Sequence, residues 1–145
     1  MAGGSSVRVR LGLCAAVAAG LIAWTVVSAA QPRSVRAGVY TAAQASTGER
    51  LYYARCSTCH GDDLGGVERA PALAGPAFMD SWNGKNLRRL FDRVVSMPPA
   101  EPVTSAEAAD LLAFLLREAG MPSGETSLPG DRALLADISF ESRQP

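Results

Sequence analysis

The stretch Cys56-Ser57-Thr58-Cys59-His60 is the part of the sequence that most strongly predicts the fold. Its spacing, C-x-x-C-H, is the one that attaches a c-type haem. Two thiols two residues apart can reach the two vinyl groups of one porphyrin, and the adjacent imidazole can turn onto the iron. We therefore expect Cys56 and Cys59 to form thioether bonds to one haem, with His60 as an axial ligand.

Two other uses of the cysteine pair fit the rest of the chain less well. The chain has three cysteines and one histidine, and the third cysteine, Cys14, lies in an apolar N-terminal run. These residues do not supply the four ligands of a closed zinc site. A thioredoxin-type dithiol would be expected beside a βαβ pattern, which the neighbouring sequence lacks. The redox dithiol remains the alternative to covalent haem.

The N-terminus is typical of a targeting segment. Arg8 and Arg10 precede a run without charge from Leu11 to Gln31, and this run contains the small-x-small pattern Ser28-Ala29-Ala30. We expect residues 1–30 to be a signal peptide that is cleaved after Ala30. Because the run is long for a signal peptide, an uncleaved membrane anchor is the alternative. In both cases the functional part is expected across the membrane, in the periplasm.

Size and charge limit the function of the remaining chain. Residues 31–145 are enough for one domain, and a buried haem would enlarge its small apolar core. These residues hold 12 basic and 14 acidic side chains, a formal net charge of −2. This balance argues against a nucleic-acid partner. Lys85 is the only lysine, so electrostatic docking would have to use arginines or acidic residues.

Three main helices are predicted, and no segment shows strand alternation, so the expected fold class is all-α. The first helix is expected from Ala42 to Ala54, behind the capping box Thr41-x-x-Gln44, or from about one turn later, behind Ser46-x-x-Glu49. The second is expected from Asn86 to Ser96, where apolar residues recur at helical spacing. The third follows the capping box Thr104-x-x-Glu107 and ends at Gly120.

The segments between and around these helices are expected to be irregular. Residues 31–40 are predicted to be a flexible lead-in, and residues 61–76, rich in glycine and proline, a loop. The domain proper is expected to cover residues 41–128. Residues 129–145 are predicted to be a C-terminal tail with one short turn near residues 131–136.

The iron needs a second axial ligand or an open position. Because the chain has no second histidine, a methionine thioether is the natural complement to His60, and it would raise the reduction potential. Met97 is the preferred ligand, since it ends the second helix beside a proline pair that would fix its loop. Met79 and Met121 are the alternatives, together with an open site.

From about Tyr40 to Leu128 the chain resembles class I cytochromes c. Gly48, Tyr52 and Cys56 fall four residues apart, as the helix-one glycine, aromatic residue and first haem cysteine of that family do. Leu111 and Phe114 look like their partners in the family's contact between the first and last helices. The resemblance implies that these helices cross at Gly48.

The stretch from Ala70 to Gly75 looks like the family's Gly-Pro-x-Leu-x-Gly loop. The resemblance implies that the Pro71 carbonyl accepts a hydrogen bond from His60 and that Leu73 packs on the haem. Trp82 would stack near the haem or donate its indole N–H to a propionate. A half-buried core tryptophan is the alternative for Trp82.

Three stretches narrow the resemblance to small bacterial monohaem cytochromes, including those that work beside quinoprotein dehydrogenases. They are Cys-His-Gly-Asp-Asp-Leu-Gly-Gly (residues 59–66), the Trp82 segment and Ser96-Met97-Pro98-Pro99. In such proteins the methionine of the Met-Pro element is the distal ligand.

The function implied is that of an electron carrier without catalysis of its own, which exchanges single electrons with a quinoprotein dehydrogenase or a terminal oxidase. No contact with the membrane is expected unless the N-terminal segment stays uncleaved. One alternative is a haem enzyme, or a protein that reacts with gases or peroxide at an open distal site. The other is an anchored cytochrome subunit of a dehydrogenase or oxidase complex.

Overall fold

The computed structural model describes residues 33–97 and 101–142. The expected signal peptide or anchor, Cys14 and the pair Pro98-Pro99 lie outside the described residues. In the part that is described, the helices are too short or too polar to span a bilayer.

Helices make up most of the described chain, with little strand, so the all-α fold class is confirmed. The strands pair in parallel, with Arg33 beside Ile138 and Ser34 beside Ser139. A short 3-10 helix, Val35–Ala37, follows the first strand. In chain order the other elements are β1 (Arg33–Ser34), α1 (Ala42–Arg55), α2 (Ser57–His60), α3 (Gly75–Trp82), α4 (Leu87–Val95), α5 (Ser105–Glu118), α6 (Arg132–Ala136) and β2 (Ile138–Ser139).

The three main predicted helices occur as α1, α4 and α5, and α1 and α5 begin after the caps expected for them. The Thr104 capping box is complete, with Glu107 accepting from the Thr104 backbone N–H at 2.8 Å. At α1, Thr41 accepts from the Gln44 N–H, but the Gln44 side chain does not return the bond. It pairs instead with both backbone groups of Leu128, at 2.7 and 2.9 Å. The Gln44 side chain therefore links the start of α1 to the segment that follows α5.

The predicted loop over residues 61–76 is too long at its C-terminal end, because α3 begins at Gly75. Glycine and proline at positions 75 and 76 favour irregular chain in a sequence-based prediction. A proline in the first turn of a helix removes an N–H that has no intrahelical acceptor, so it can begin a helix as well as interrupt one. The residues that follow include Phe78 and Trp82, which contact each other with ring centroids 6.3 Å apart.

Helices α1 and α5 cross at Gly48, which confirms the predicted contact. A Cβ atom on Gly48 would lie 1.9 Å from the backbone oxygen of Asp110 and 3.0 Å from the Leu111 nitrogen. One turn further along α1, the Tyr52 ring meets the Phe114 ring at a centroid distance of 5.1 Å. The crossing brings backbone against backbone, so only glycine fits there.

Both ends of the described chain pack on the core, contrary to the flexible lead-in and the tail expected from the sequence. Val35 and Ile138 are fully buried, and Phe140 is almost so. Phe140 exchanges backbone hydrogen bonds with Gly84 and Lys85, at 2.9 and 2.7 Å. Strands of two residues are too short to show alternation, so the sequence carries almost no signal for this pairing.

The close approach of α1 and α5 at Gly48 predicts whether the substitution Gly48→Ala raises or lowers the stability of the protein. Alanine favours a helix interior over glycine by about 1 kcal/mol, so Gly48→Ala would stabilise an isolated α1. In the protein the added methyl meets the Asp110 carbonyl, and we expect a loss of about 1–3 kcal/mol. Thermal unfolding of the holoprotein measures the difference, with Ser46→Ala on the exposed side of α1 as the control. A raised melting temperature for Gly48→Ala would contradict the close approach.

Candidate functional site: a cleft around the C-x-x-C-H motif

A cleft of about 700 Å³ brings together residues from α1 to α5 and the loop after α2. Its volume lies in the range of ordinary cofactor sites, roughly 300–1,000 Å³. The seven residues proposed from the sequence as cofactor-binding all line it: Cys56, Cys59, His60, Pro71, Leu73, Trp82 and Met97.

The C-x-x-C-H motif forms its own short helix, whose side chains line this cleft. Cys56 ends α1 and begins α2, which runs through Cys59 to His60. The backbone N–H groups of Cys59 and His60 both donate to the Cys56 carbonyl, at 3.1 and 2.9 Å. Cys56 and Cys59 do not form a disulfide with each other, and Cys59 is exposed. Burial raises the pKa of the Cys56 thiol, while the neighbouring Arg55 opposes this shift.

The His60 ring is held by the loop that follows the motif. Its Nδ1 lies 2.9 Å from the Pro71 carbonyl oxygen. A carbonyl only accepts, so Nδ1 carries the proton and Nε2 keeps the lone pair that a metal requires. The same loop returns to the motif a second time, where the Gly66 N–H donates to the His60 carbonyl at 2.8 Å. The imidazole is therefore oriented before any ligand binds it.

Tyr52 connects the helix crossing to the motif. Its hydroxyl donates to the Gly61 carbonyl at 2.5 Å, directly after His60. Its ring is 1% exposed and lines the cleft. Burial raises the pKa of the Tyr52 phenol from 10.0 to about 12, and the nearby Cys56 thiol adds to the effect.

The walls of the cleft are mainly apolar, and side chains from several elements build them. Helix α5 contributes Leu111 and Leu115, and the loop after α2 contributes Leu73. Helix α4 contributes Leu90 and Val94. All five side chains face the site, and Leu73 is the one that the resemblance to class I cytochromes c places against the haem. A flat apolar cofactor would bury its faces against them.

The three methionines considered as ligands differ in their surroundings. Met97 lines the cleft and is 43% exposed, at the end of α4. Met121 is buried elsewhere, beside the Tyr40 hydroxyl that donates to its carbonyl at 2.6 Å. Met79 is partly buried against the hydrophobic core and is absent from the lining. Among the described methionines, Met97 alone reaches the cleft that holds His60.

Trp82 lies at the edge of the cleft, half-buried, as both of its expected roles allow. The Lys85 ammonium lies 5.2 Å from the centroid of its ring system. Lys85 also donates to the Ser81 carbonyl at 2.5 Å. The cation and the tryptophan thus occupy the same corner of the site.

Sequence reasoning missed the positive charge of the site. Among the residues that the structure describes, four cationic ones line the cleft and no acidic one does; the four are Arg55, Arg69, Lys85 and Arg93. For Arg93 a signal existed: Leu90, Arg93, Val94 and Met97 follow helical spacing and share one side of the α4 segment. Arg69 and Lys85 lie beside turns, and in a turn the sequence has no period from which the orientation of a side chain could be predicted.

The residues of the cleft fit a covalently bound haem. Two free thiols, an imidazole with a free Nε2 and apolar walls are what such a group needs. The cationic residues suit its carboxylates. When bound, the group supplies an iron that changes its oxidation state by one electron.

Replacing Tyr52 by phenylalanine tests the link between α1 and the motif. Below pH 9 we expect Tyr52→Phe to be less stable by about 1 kcal/mol, because the Gly61 carbonyl loses its donor. The pKa of the Tyr52 phenol is higher in the folded protein than in the unfolded chain. The neutral phenol therefore makes its full contribution to the free energy of unfolding below pH 10, and this contribution is lost as the pH rises towards 12. Urea unfolding from pH 8 to 12 should therefore show the two proteins converging. Parallel profiles would contradict this, and Tyr53→Phe, at an exposed tyrosine, is the control.

Comparison with known proteins agrees with this chemistry. The model of the family described as "Cytochrome C oxidase, cbb3-type, subunit III" matches residues 43–115, which is half of the chain. Neither a curated protein nor a solved structure matches the chain. The match covers α1, the C-x-x-C-H motif, the cleft and most of α5. The chain therefore belongs to this family, and its domain is a class I c-type cytochrome that transfers electrons through one covalently bound haem c.

Proposed function

We propose that the protein is a periplasmic electron carrier in which His60 and Met97 are the two axial ligands of the haem iron. The observation that carries the proposal is the joint presence of both side chains in one cleft, where neither Met79 nor Met121 lines the wall. With both axial positions taken, substrates have no open coordination site. The protein then only sets the reduction potential and exposes one edge to its partners.

The surroundings of His60 support the assignment of a fixed proximal ligand. The Pro71 carbonyl fixes the tautomer, and the Gly66 N–H holds the backbone of the same residue. Hydrogen bonding of this kind raises the basicity of a ligating imidazole and orients its ring. The distal side is held less firmly, because Met97 is exposed and lies two residues beyond the end of α4.

The exposure of Met97 also favours a second candidate function. A thioether that packing does not hold can leave the iron, which would open a site for peroxide or for a gas. The protein would then be a haem enzyme or a sensor instead of a carrier. Carbon monoxide separates the two functions, because it binds ferrous haem only where an axial position is free or exchanges readily.

A terminal oxidase is the partner class that the family description favours, since it names a subunit of a cbb3-type oxidase. The chain would serve either as a free carrier or as a subunit held in such a complex. A quinoprotein dehydrogenase remains the alternative electron donor. The mature N-terminal sequence decides between the two forms: a start after Ala30 supports the free carrier, and an intact apolar run that requires detergent supports the subunit.

The covalent attachment gives the first prediction of this function. Purified holoprotein should keep its haem in denaturing gels and in acid-acetone, because thioether bonds survive both treatments. Each of Cys56→Ser and Cys59→Ser should leave at most one thioether, and the double variant should lose the haem on denaturation. Intact-mass measurement checks the result, and a wild-type mass without haem would refute the attachment.

The distal ligand gives the second prediction. Met97→Ala should lose the charge-transfer band of methionine-ligated ferric haem at the red edge of the visible spectrum. Its reduction potential should fall, because a thioether favours the ferrous state. Ferrous Met97→Ala should also bind carbon monoxide stoichiometrically, whereas the wild type should bind almost none.

Met79→Leu and Met121→Leu are the matched controls, because both replace a methionine outside the cleft. Both should keep the band, the potential and the resistance to carbon monoxide. If Met79→Leu opens the iron and Met97→Ala does not, the ligand assignment is wrong. If the wild-type protein binds carbon monoxide readily, the enzyme or sensor function takes precedence.

A further inference from the structure

Residues 138–142, here called the C-terminal segment, lie beyond the part of the chain that matches the family model, which ends at residue 115. The end of a chain is poorly ordered unless contacts tie it down. In this segment Ile138 is fully buried and Phe140 is only 1% exposed. The contacts that bury these side chains lead to the haem cleft.

The backbone of the C-terminal segment is held from two sides. Ser139 pairs with Ser34 of β1 and also forms an antiparallel bridge with Asn86. The Arg36 guanidinium donates to two carbonyls at the end of the segment, at 3.1 and 2.6 Å. The segment therefore lies between β1 and the turn that joins α3 to α4.

The same segment fixes that turn through backbone atoms. The Phe140 N–H donates to the Lys85 carbonyl at 2.7 Å, and the Gly84 N–H donates to the Phe140 carbonyl at 2.9 Å. The Ser142 N–H donates to the side-chain oxygen of Asn83 at 2.9 Å. Three successive residues of the turn are thus bound to the C-terminal segment.

The side chain of Phe140 supports α3 itself. Its ring meets the Phe78 ring edge to face, with the centroids 6.0 Å apart. Phe78 is the one buried residue of α3, and its ring in turn contacts Trp82. The packing of α3 on the rest of the molecule therefore depends strongly on the ring that Phe78 meets.

This corner of the molecule forms part of the cleft, although Phe140 does not. Phe78, Trp82 and Lys85 line the cleft, and Phe140 is absent from the lining. Because protein interiors are close-packed, a displaced Phe78 ring would move its neighbours with it. Any effect of Phe140 on the site must therefore act through these three residues.

We infer that Phe140 is a positioning residue for the haem site, because it fixes α3 and the turn over residues 83–86 and so sets where Trp82 and Lys85 lie in the cleft. The inference goes beyond the proposed function and does not depend on Met97. The exposure of a haem to water is one determinant of its reduction potential. A displaced corner would admit water, which favours the additional charge of the ferric state.

The experiment compares Phe140→Ala with Leu128→Ala, both as holoproteins. Phe140→Ala removes the ring and keeps the backbone hydrogen bonds. Leu128→Ala removes another buried side chain that follows α5 and does not line the cleft. Both leave a cavity and should lower the melting temperature, so stability alone does not distinguish them. Phe140→Leu, which keeps much of the apolar volume, serves as the conservative variant.

The reduction potential is the first measurement. In a fixed redox buffer the ratio of ferrous to ferric protein should fall about three- to tenfold in Phe140→Ala. It should fall less in Phe140→Leu and change by less than about twofold in Leu128→Ala. Equal changes in Phe140→Ala and Leu128→Ala would assign Phe140 to stability alone and overturn the inference.

The position of Trp82 is the second measurement, followed by fluorine NMR of 5-fluorotryptophan. The difference between its signals in the ferric and ferrous proteins depends on its distance and direction from the iron. The sequence also contains Trp24, so Trp82→Phe identifies the signal. The difference should change in Phe140→Ala, change less in Phe140→Leu and stay constant in Leu128→Ala. An unchanged Trp82 signal in Phe140→Ala would also overturn the inference.

The wild-type protein tests the contact without any substitution, even if the Phe140 variants fail to keep their haem. The ferrous protein should show nuclear Overhauser contacts between the Phe140 and Phe78 rings, and the amide hydrogens of Phe140 and Gly84 should exchange slowly with solvent. Absence of either would overturn the inference. A wild type without the methionine band would refute the proposed axial ligand and leave these results unchanged.

Discussion

The contact between Gly48 and the Asp110 carbonyl is the constraint on which the rest of the molecule depends. It sets how closely α1 and α5 approach, and both helices lead into the site. Helix α1 ends at the first cysteine of the motif, whereas Leu111 and Leu115 of α5 form part of the cleft wall. A displacement at the crossing would therefore separate the point of attachment from the surface that receives the cofactor. Tyr52 makes the link rigid, because its hydroxyl holds the Gly61 carbonyl just beyond His60.

The sequence predicted the helices well wherever a cap and a helical period coincided. Thr104 with Glu107 marked the start of α5, and Thr41 marked that of α1. It failed where one residue type has two opposite uses: Pro76 was interpreted as part of a loop but lies in the first turn of α3. The sequence-based prediction also failed at the ends of the described chain. Strands of two residues show no periodicity, and Phe140 is held by hydrogen bonds of its backbone, which leave no pattern in the sequence.

The residues of the site were predicted mainly from which residue types the chain contains, and less from where they lie along the sequence. A single histidine and one closely spaced cysteine pair left little choice, and the cleft gathers all seven proposed residues. The positive lining of the cleft could not be deduced from a formal net charge near zero, because the net charge does not say which charged side chains face the cleft. Arg69 illustrates the difficulty: it lies in a glycine-rich loop, where only the path of the backbone decides whether a side chain faces the site. The hydrogen bond between His60 and Pro71 depends on the same path.

The parallel pairing of Arg33 with Ile138 has a consequence for how this domain can be built into larger proteins. The first and last parts of the described chain lie beside each other, and Arg36 ties them again through the Glu141 and Ser142 carbonyls. A domain whose two ends lie close together can be inserted between other segments with two short linkers, without rearrangement of its interior. The same geometry would let a designer join the native ends and open the chain elsewhere, for example at an exposed turn remote from the haem-binding residues.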